Sequence, residues 1–212
     1  MDKNKQIDTI NRFAQVSRET IRSLIQYENL LFKANKNQNL VGKSTIDNVW
    51  IRHFLDSVQV IDFIDNNRHS LIDIGSGAGF PGLVLAIASK DRKMSLKIKL
   101  IEKSLKKTLF LNEVIDQLKL DAQVINLNVF EKNYSLDSEV ITARAFKPLE
   151  KILELIHNKA KNWKKIFVFL GKTGRNELVQ ASKSWDIEYK QRVSVTSNDS
   201  FVIEINKLKK IN

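Results

Sequence analysis

The stretch LIDIGSGAGFPG, residues 71–82, holds four of the chain's seven glycines. Leu71-Ile72-Asp73-Ile74 reads as a short buried strand, Gly75, Gly77, Gly79 and Gly82 as a tight turn, and residues 83–88 as the start of a helix. Glycine adopts backbone angles closed to other residues and lets a ligand touch the main chain. A strand, a glycine turn and a helix in that order predict a nucleotide-like ligand at the carboxyl end of a parallel sheet.

Downstream of that turn, strand-like and helix-like segments alternate, as parallel sheet units do. Strands are expected at 71–75, 96–102, 122–127, 139–144, 165–170, 186–194 and 200–206, and helices near 81–90, 104–118, 147–161 and 174–184. The last two strands are joined through SVTSNDSF with no helix between them. That makes them a hairpin, so the sheet should end on an antiparallel edge. Upstream, apolar residues recur at spacings of three and four over 4–34, one or two amphipathic helices. A further helix is expected over 45–64, capped by Ser44 or Thr45. The expected class is α/β: a helical extension over 1–66, then a single unit over 67–212 with a mostly parallel seven-stranded sheet.

Composition narrows the chemistry. With 212 residues and no cysteine, the chain can bury a core without disulfides, and thiolate zinc sites and cysteine nucleophiles are excluded. His53, His69 and His157 lie far apart, so no metal site is expected. No segment has the apolar length of a spanning helix, and MDKNKQIDTINRFAQ reads as neither signal nor transit peptide. A cytoplasmic protein is expected. The formal net charge is +11, with 10 basic against 8 acidic residues up to position 70 and 25 against 16 beyond it. Such an excess favours a polyanionic partner, although a chain rich in Lys, Asn and Ile also arises from an A/T-biased genome.

The glycine spacing restricts the ligand. A dinucleotide turn, G-x-G-x-x-G, needs its third glycine where this chain has Phe80, and no Gly-Lys-Ser/Thr follows to make a phosphate loop. Asp73-x-Gly75-x-Gly77-x-Gly79 is instead similar to the first motif of the Rossmann-like S-adenosylmethionine-dependent methyltransferases. In that class an acidic residue ending the second strand holds the ribose hydroxyls; SLKIKLIEK puts Glu102 there.

Further stretches resemble one family. QNLVG at 38–42, IRHFLDSV at 51–58, DIGSGAGFPGLVLAI at 73–87, EKSLKKTLFLNEV at 102–114 and TARAFKPL at 142–149 are similar, in this order, to the glucose-inhibited division protein B family, also called ribosomal RNA small-subunit methyltransferase G. The resemblance implies a class I S-adenosylmethionine-dependent enzyme that methylates N7 of a guanine in the 530 loop of 16S rRNA, as a monomer acting on the small ribosomal subunit. It also implies cofactor contacts at Asp73, Gly75, Gly77, Phe80, Glu102, Val129, Phe130 and Arg144. Phe80 and Phe130 could enclose the adenine or the sulfonium, or simply fill the core. Val129 would act through its main chain. Arg144 needs a partner, such as Asp73 or a bound anion, and a structural ion pair is the competing reading. His53 and Asp56 share a helix face, either as a cap over the site that touches cofactor or RNA, with His53 a candidate RNA contact, or as a helix-locking network.

Guanine N7 carries an in-plane lone pair, so its methylation requires no general base, and no catalytic acid or base is named. The task is alignment. N7 lies on an edge hidden in an RNA duplex, so the target must sit in a loop or be unstacked. Lys103, Lys106, Lys107, Lys147 and Lys151 are candidates for its backbone and predict salt-sensitive binding. Two other readings remain open: the same chemistry on another RNA or a small molecule, and a non-catalytic RNA-binding assembly factor.

Overall fold

Leu71 and Ile72 are neighbours in sequence but belong to different hydrophobic clusters, one on each face of the sheet. That is the signature of a strand buried on both sides. The computed structural model describes residues 2–131 and 134–211. Six helical pieces come first: α1 (Lys3–Ala14), α2 (Arg18–Gln38), α3 (Lys43–Ile46), a π-helical turn (Trp50–Leu55), α4 (Asp56–Val58) and a 3-10 turn (Ile61–Phe63). The alternating part follows as β1 (Ser70–Ile74), α5 (Gly82–Asp91), β2 (Lys97–Glu102), α6 (Leu105–Leu118), β3 (Ala122–Asn126), β4 (Leu136–Asp137), β5 (Val140–Arg144), α7 (Leu149–Lys159), β6 (Ala160–Lys161), β7 (Lys165–Leu170), α8 (Gly174–Ala181), β8 (Trp185–Val193) and β9 (Phe201–Lys210).

The main sheet has seven strands in the order β3-β2-β1-β5-β7-β9-β8. β9 runs antiparallel to both β7 and β8, the antiparallel edge expected from the helix-free connection. The strand order reverses direction at β1, between β2 and β5, and open α/β sheets hold ligands at such a switch point. One sheet face is covered by α5, α6 and the amino-terminal helices; the other packs against α7 and the buried side chains of 129–156.

Two differences from the sequence reading have physical causes. The single helix expected over 45–64 is divided, and Gly42 rather than Ser44 or Thr45 is the cap of α3. Trp50, Phe54, Leu55, Asp56, Ser57 and Val58 are all buried, more than one stripe of a regular helix can hide. The wider π turn spreads them over a broader arc. The strands β4 and β6 form a separate parallel pair of two residues each, too short to leave a periodic signal. Among the described residues no helix is long and apolar enough to cross a membrane.

Candidate active site

The carboxyl ends of β1, β2, β3 and β5 open into a cavity of about 640 Å³, the size of a small-molecule site. Its walls come from the glycine turn after β1, from Glu102, Lys103 and Lys107 after β2, from residues 127–130 after β3, from residues 144–147 at the end of β5, and from Leu40, Val41, Gly42 and His53 of the amino-terminal segment.

The four glycines answer to four different neighbours. Gly75, Gly77 and Gly79 all have positive φ, at 69°, 59° and 100°. A side chain at Gly75 would come within 2.1 Å of the Phe146 ring, and one at Gly79 would strike Leu83 and Tyr27. At Gly82 a Cβ would meet Asp73 Oδ2 at 2.8 Å, so this glycine, not a residue at position 80, lets α5 press onto the strand. Only Gly77 faces open cavity, its nearest neighbour being the Gly75 carbonyl oxygen at 3.8 Å. That bare face is where a ligand can lie against the main chain.

Glu102 holds the turn in place. Its Oε2 accepts from the Gly77 N–H at 3.0 Å and its Oε1 from the Ser104 N–H at 2.8 Å. Each oxygen keeps a second lone pair, and the carboxylate lines the cavity, so it can still accept from a ligand hydroxyl. Asp73, expected to touch the cofactor, instead lies beneath the turn, fully buried and away from the cavity wall. Its Oδ1 accepts from Thr142 Oγ1 at 2.7 Å and its Oδ2 from the Gly82 N–H at 3.2 Å, pinning β5 and α5 to β1.

Burial raises the Asp73 carboxyl to about 6, against the opposing pull of the Thr142 hydroxyl, the Gly82 N–H and the Arg144 charge. The folded protein therefore keeps this proton to higher pH than the unfolded chain, and the contribution of Asp73 to stability declines as pH rises through about 4 to 6. Urea unfolding of wild type and Asp73→Asn should show the difference between them shifting by about 2 kcal/mol against wild type between pH 4 and pH 7. A difference that stays flat over that range would contradict the raised value.

Arg144 pairs with Asp56 rather than Asp73, the structural ion pair of the competing reading. Its Nε pairs with Asp56 Oδ2 at 3.2 Å, Nη1 donates to Ser57 Oγ at 3.3 Å, and Nη2 donates to the Arg52 carbonyl at 2.6 Å. Asp73 contributes only at longer range. Burial lowers the guanidinium's pKa and the Asp56 carboxylate pushes it back up. Arg144 thus ties the sheet to the amino-terminal segment while its face lies 5.7 Å from the Phe80 ring centre. Phe80 is itself mostly packed, stacked between His53 at 4.7 Å and Tyr27 at 5.6 Å, with its rim in the cavity.

His53 completes the network. Arg144 Nη2 sits 3.1 Å from His53 Nδ1, and a guanidinium can only donate, so Nδ1 is the acceptor. The proton is then on Nε2, which donates to Thr45 Oγ1 at 3.0 Å, and Thr45 in turn donates to the Gly42 carbonyl at 3.0 Å. Burial, reinforced by the charges of Arg144 and Arg52, lowers His53 to about 3. The ring is neutral at physiological pH, and both nitrogens are engaged. Asp56 and His53 therefore act together on Arg144, and the loop 40–42 is anchored over the cavity through them.

On the far wall Phe130 and Phe146 lie nearly parallel, ring centres 5.8 Å apart and planes 12° from one another. Ala145, between Arg144 and Phe146, has φ 47°, a conformation that costs an L-residue about 1–2 kcal/mol. Val129 is buried, and its carbonyl accepts from Lys159 Nζ at 3.0 Å, which fixes the loop after β3 to α7. Of the candidate lysines, Lys103, Lys107 and Lys147 line the cavity; Lys106 does not, and Lys151 is paired with Glu154.

Sequence reasoning missed Leu40, Val41, Gly42, Asn128 and Phe146 as wall residues. Leu40 to Gly42 lie within the quoted QNLVG stretch, whose only signal was resemblance. Phe146 carried the same signal, in TARAFKPL.

A family model described as rRNA small subunit methyltransferase G matches residues 20–203. The ribosomal RNA small subunit methyltransferase G of Pelagibacter ubique (strain HTCC1062) is 41% identical over 199 residues, covering 93% of this chain and 93% of that protein. Solved structures share the fold at low identity. An S-adenosylmethionine-dependent methyltransferase from Aquifex aeolicus superposes with a TM-score of 0.58 at 15% identity, covering 81% of this chain and 97% of that one. M. capricolum TrmK in complex with S-adenosyl-homocysteine gives 0.53 at 19% identity, covering 71% and 67%.

Proposed function

The chain belongs to the rRNA small subunit methyltransferase G family, and from that membership we propose that it transfers a methyl group from S-adenosylmethionine to N7 of a guanine in the 530 loop of 16S rRNA. The enzyme is an S-adenosylmethionine-dependent rRNA methyltransferase; the base and the atom are the proposal. The reading extends to a reaction in the cytoplasm, on rRNA assembled in the small ribosomal subunit and by a monomeric enzyme.

The residues fit such a cofactor. Gly77 offers bare backbone to the cavity, Glu102 offers carboxylate lone pairs suited to ribose hydroxyls, and Phe80 supplies apolar ring surface. Gly75 and Val129 would complete the contact through the main chain, with Arg144 holding Phe80 and His53 from behind. The bound cofactor supplies an electrophilic methyl group on a sulfonium.

What the protein must do is align N7 with that methyl, because the lone pair attacks directly and no proton has to leave first. The single observation that carries the reading is that, among the described residues, the carboxylate and imidazole groups on the cavity wall are already committed to structural hydrogen bonds. Among the described residues Glu102 is the only carboxylate on that wall, and each of its oxygens already accepts a backbone N–H, while both nitrogens of His53 are engaged. Chemistry requiring deprotonation is poorly served by such a site; alkylation of a ring nitrogen is well served. Lys103, Lys107 and Lys147 around the rim give the cavity the sign an RNA backbone needs.

The test is transfer of labelled methyl from S-adenosylmethionine to small ribosomal subunits lacking the modification, followed by strand cleavage specific for N7-methylguanine. A single cleavage in the 530 loop is expected. Gly77→Asp should abolish it, since its side chain enters open cavity and aspartate tolerates positive φ. Gly75 is a poorer control because substitution there displaces Phe146. Cofactor binding without methylated rRNA would leave the fold standing and remove the substrate.

A further inference from the structure

We propose that Phe146, with Phe130 against it, is the seat on which the target base stacks; the inference rests on the rRNA reading above. The argument starts from β5. Ile141 and Ala143 enter one core cluster, whereas Thr142 bonds Asp73 and Arg144 reaches Asp56 and Ser57 on the opposite face. Continued alternation would send Phe146 to the side of Arg144. The left-handed backbone at Ala145 breaks the alternation, and the ring packs instead toward the cluster of Ile141 and Ala143. Strain retained at the end of a strand that lines a cavity is a hallmark of a functional position.

The ring so placed is not core filling. Phe146 is only half-buried, Phe130 is 43% exposed, and both line the cavity. Phe130 comes from the loop after β3, so its chain segment crosses back past β2 and β1 to meet a residue just beyond β5. Gly75 has no side chain where that ring lies, so the turn itself makes room for Phe146. Three separate elements therefore converge to hold one flat apolar surface open to solvent.

A guanine presenting N7 must leave its stack, and an aromatic face replaces what it loses. Stacking of a base on such a ring is worth roughly 5- to 150-fold in affinity. The cofactor contacts at Gly77 and Glu102 lie on the β2 side of β1, and Phe146 lies on the β5 side, so a base there would approach the cofactor from the opposite side of the switch point. Lys147, next in sequence and on the same wall, is placed for the phosphate of the extruded nucleotide.

The experiment compares cofactor dissociation constants with single-turnover methyl transfer to small ribosomal subunits for wild type, Phe146→Leu, Phe146→Trp and Phe130→Leu. Leucine keeps apolar bulk against Gly75 but removes the ring. Phe146→Leu should bind cofactor within about 3-fold of wild type yet transfer methyl at least about 30-fold more slowly at limiting rRNA, while Phe146→Trp stays within about 5-fold. Phe130→Leu should lose about 5-fold, which keeps the test decisive if Phe146→Leu fails to fold. Wild-type transfer by the leucine variants overturns the seat, and equal losses in cofactor binding and transfer would assign the rings to the cofactor instead. A wild-type protein inactive on these subunits overturns the rRNA reading and the seat together.

Discussion

Asp56→Ala lowers stability by about 3–5 kcal/mol in urea unfolding at neutral pH, the range for stripping a buried charge of its partner. Asp56 is nearly buried, and both its oxygens are in use. Oδ2 faces Arg144 Nε at 3.2 Å; Oδ1 accepts from Gln59 Nε2 at 2.9 Å, Ser194 Oγ at 2.8 Å and Thr196 Oγ1 at 3.2 Å. Removing it strands a guanidinium whose pKa burial already depresses, and releases the turn between β8 and β9 that carries Ser194 and Thr196. A double-mutant cycle with Arg144→Met separates the two effects. The double variant should recover most of the loss, because two apolar residues in place of a buried pair are often neutral. A single Asp56→Ala loss below about 1 kcal/mol would show that Arg144 is solvated and the pair a surface contact.

The reach of the sequence ended where contacts cross between distant segments. The glycine turn, the parallel strands from alternation and the antiparallel edge are all local or periodic features, and they were legible. Glu102 was legible too, from its place at the end of the second strand. Asp73 was misread because its partners, Thr142 and Gly82, become visible only once β1, β5 and α5 are side by side. The same holds for Arg144. Composition required a partner for it, but nothing in TARAF points to a carboxylate 88 positions upstream rather than to Asp73. Phe146 shows the deeper limit. Its direction depends on positive φ at an alanine, which carries no propensity signal, unlike a glycine in the same conformation.

Tyr27→Ala destabilises the protein by about 3–5 kcal/mol, as loss of a large core aromatic does, and also loosens the cofactor site. The residue belongs to α2, in the segment that sequence separates from the sheet, yet it is completely buried against the glycine turn. Its hydroxyl donates to the Ala78 carbonyl at 2.5 Å, between Gly77 and Gly79, and its ring meets Phe80, Phe54 and Phe110 at 5.6, 5.4 and 6.4 Å. Burial and the nearby Asp73 charge hold the phenol well above its ordinary pKa, so it remains a donor at any working pH. Tyr27→Phe isolates that hydrogen bond. With the ring kept, the Ala78 carbonyl loses its donor at a cost of about 1–3 kcal/mol, and cofactor affinity should fall several-fold through the turn alone. Unfolding curves and cofactor titrations on both variants check this. If the amino-terminal helices merely rested on the sheet, Tyr27→Phe would leave cofactor affinity at the wild-type value, whereas a turn held from α2 ties the cap and the cofactor site into one cooperative structure.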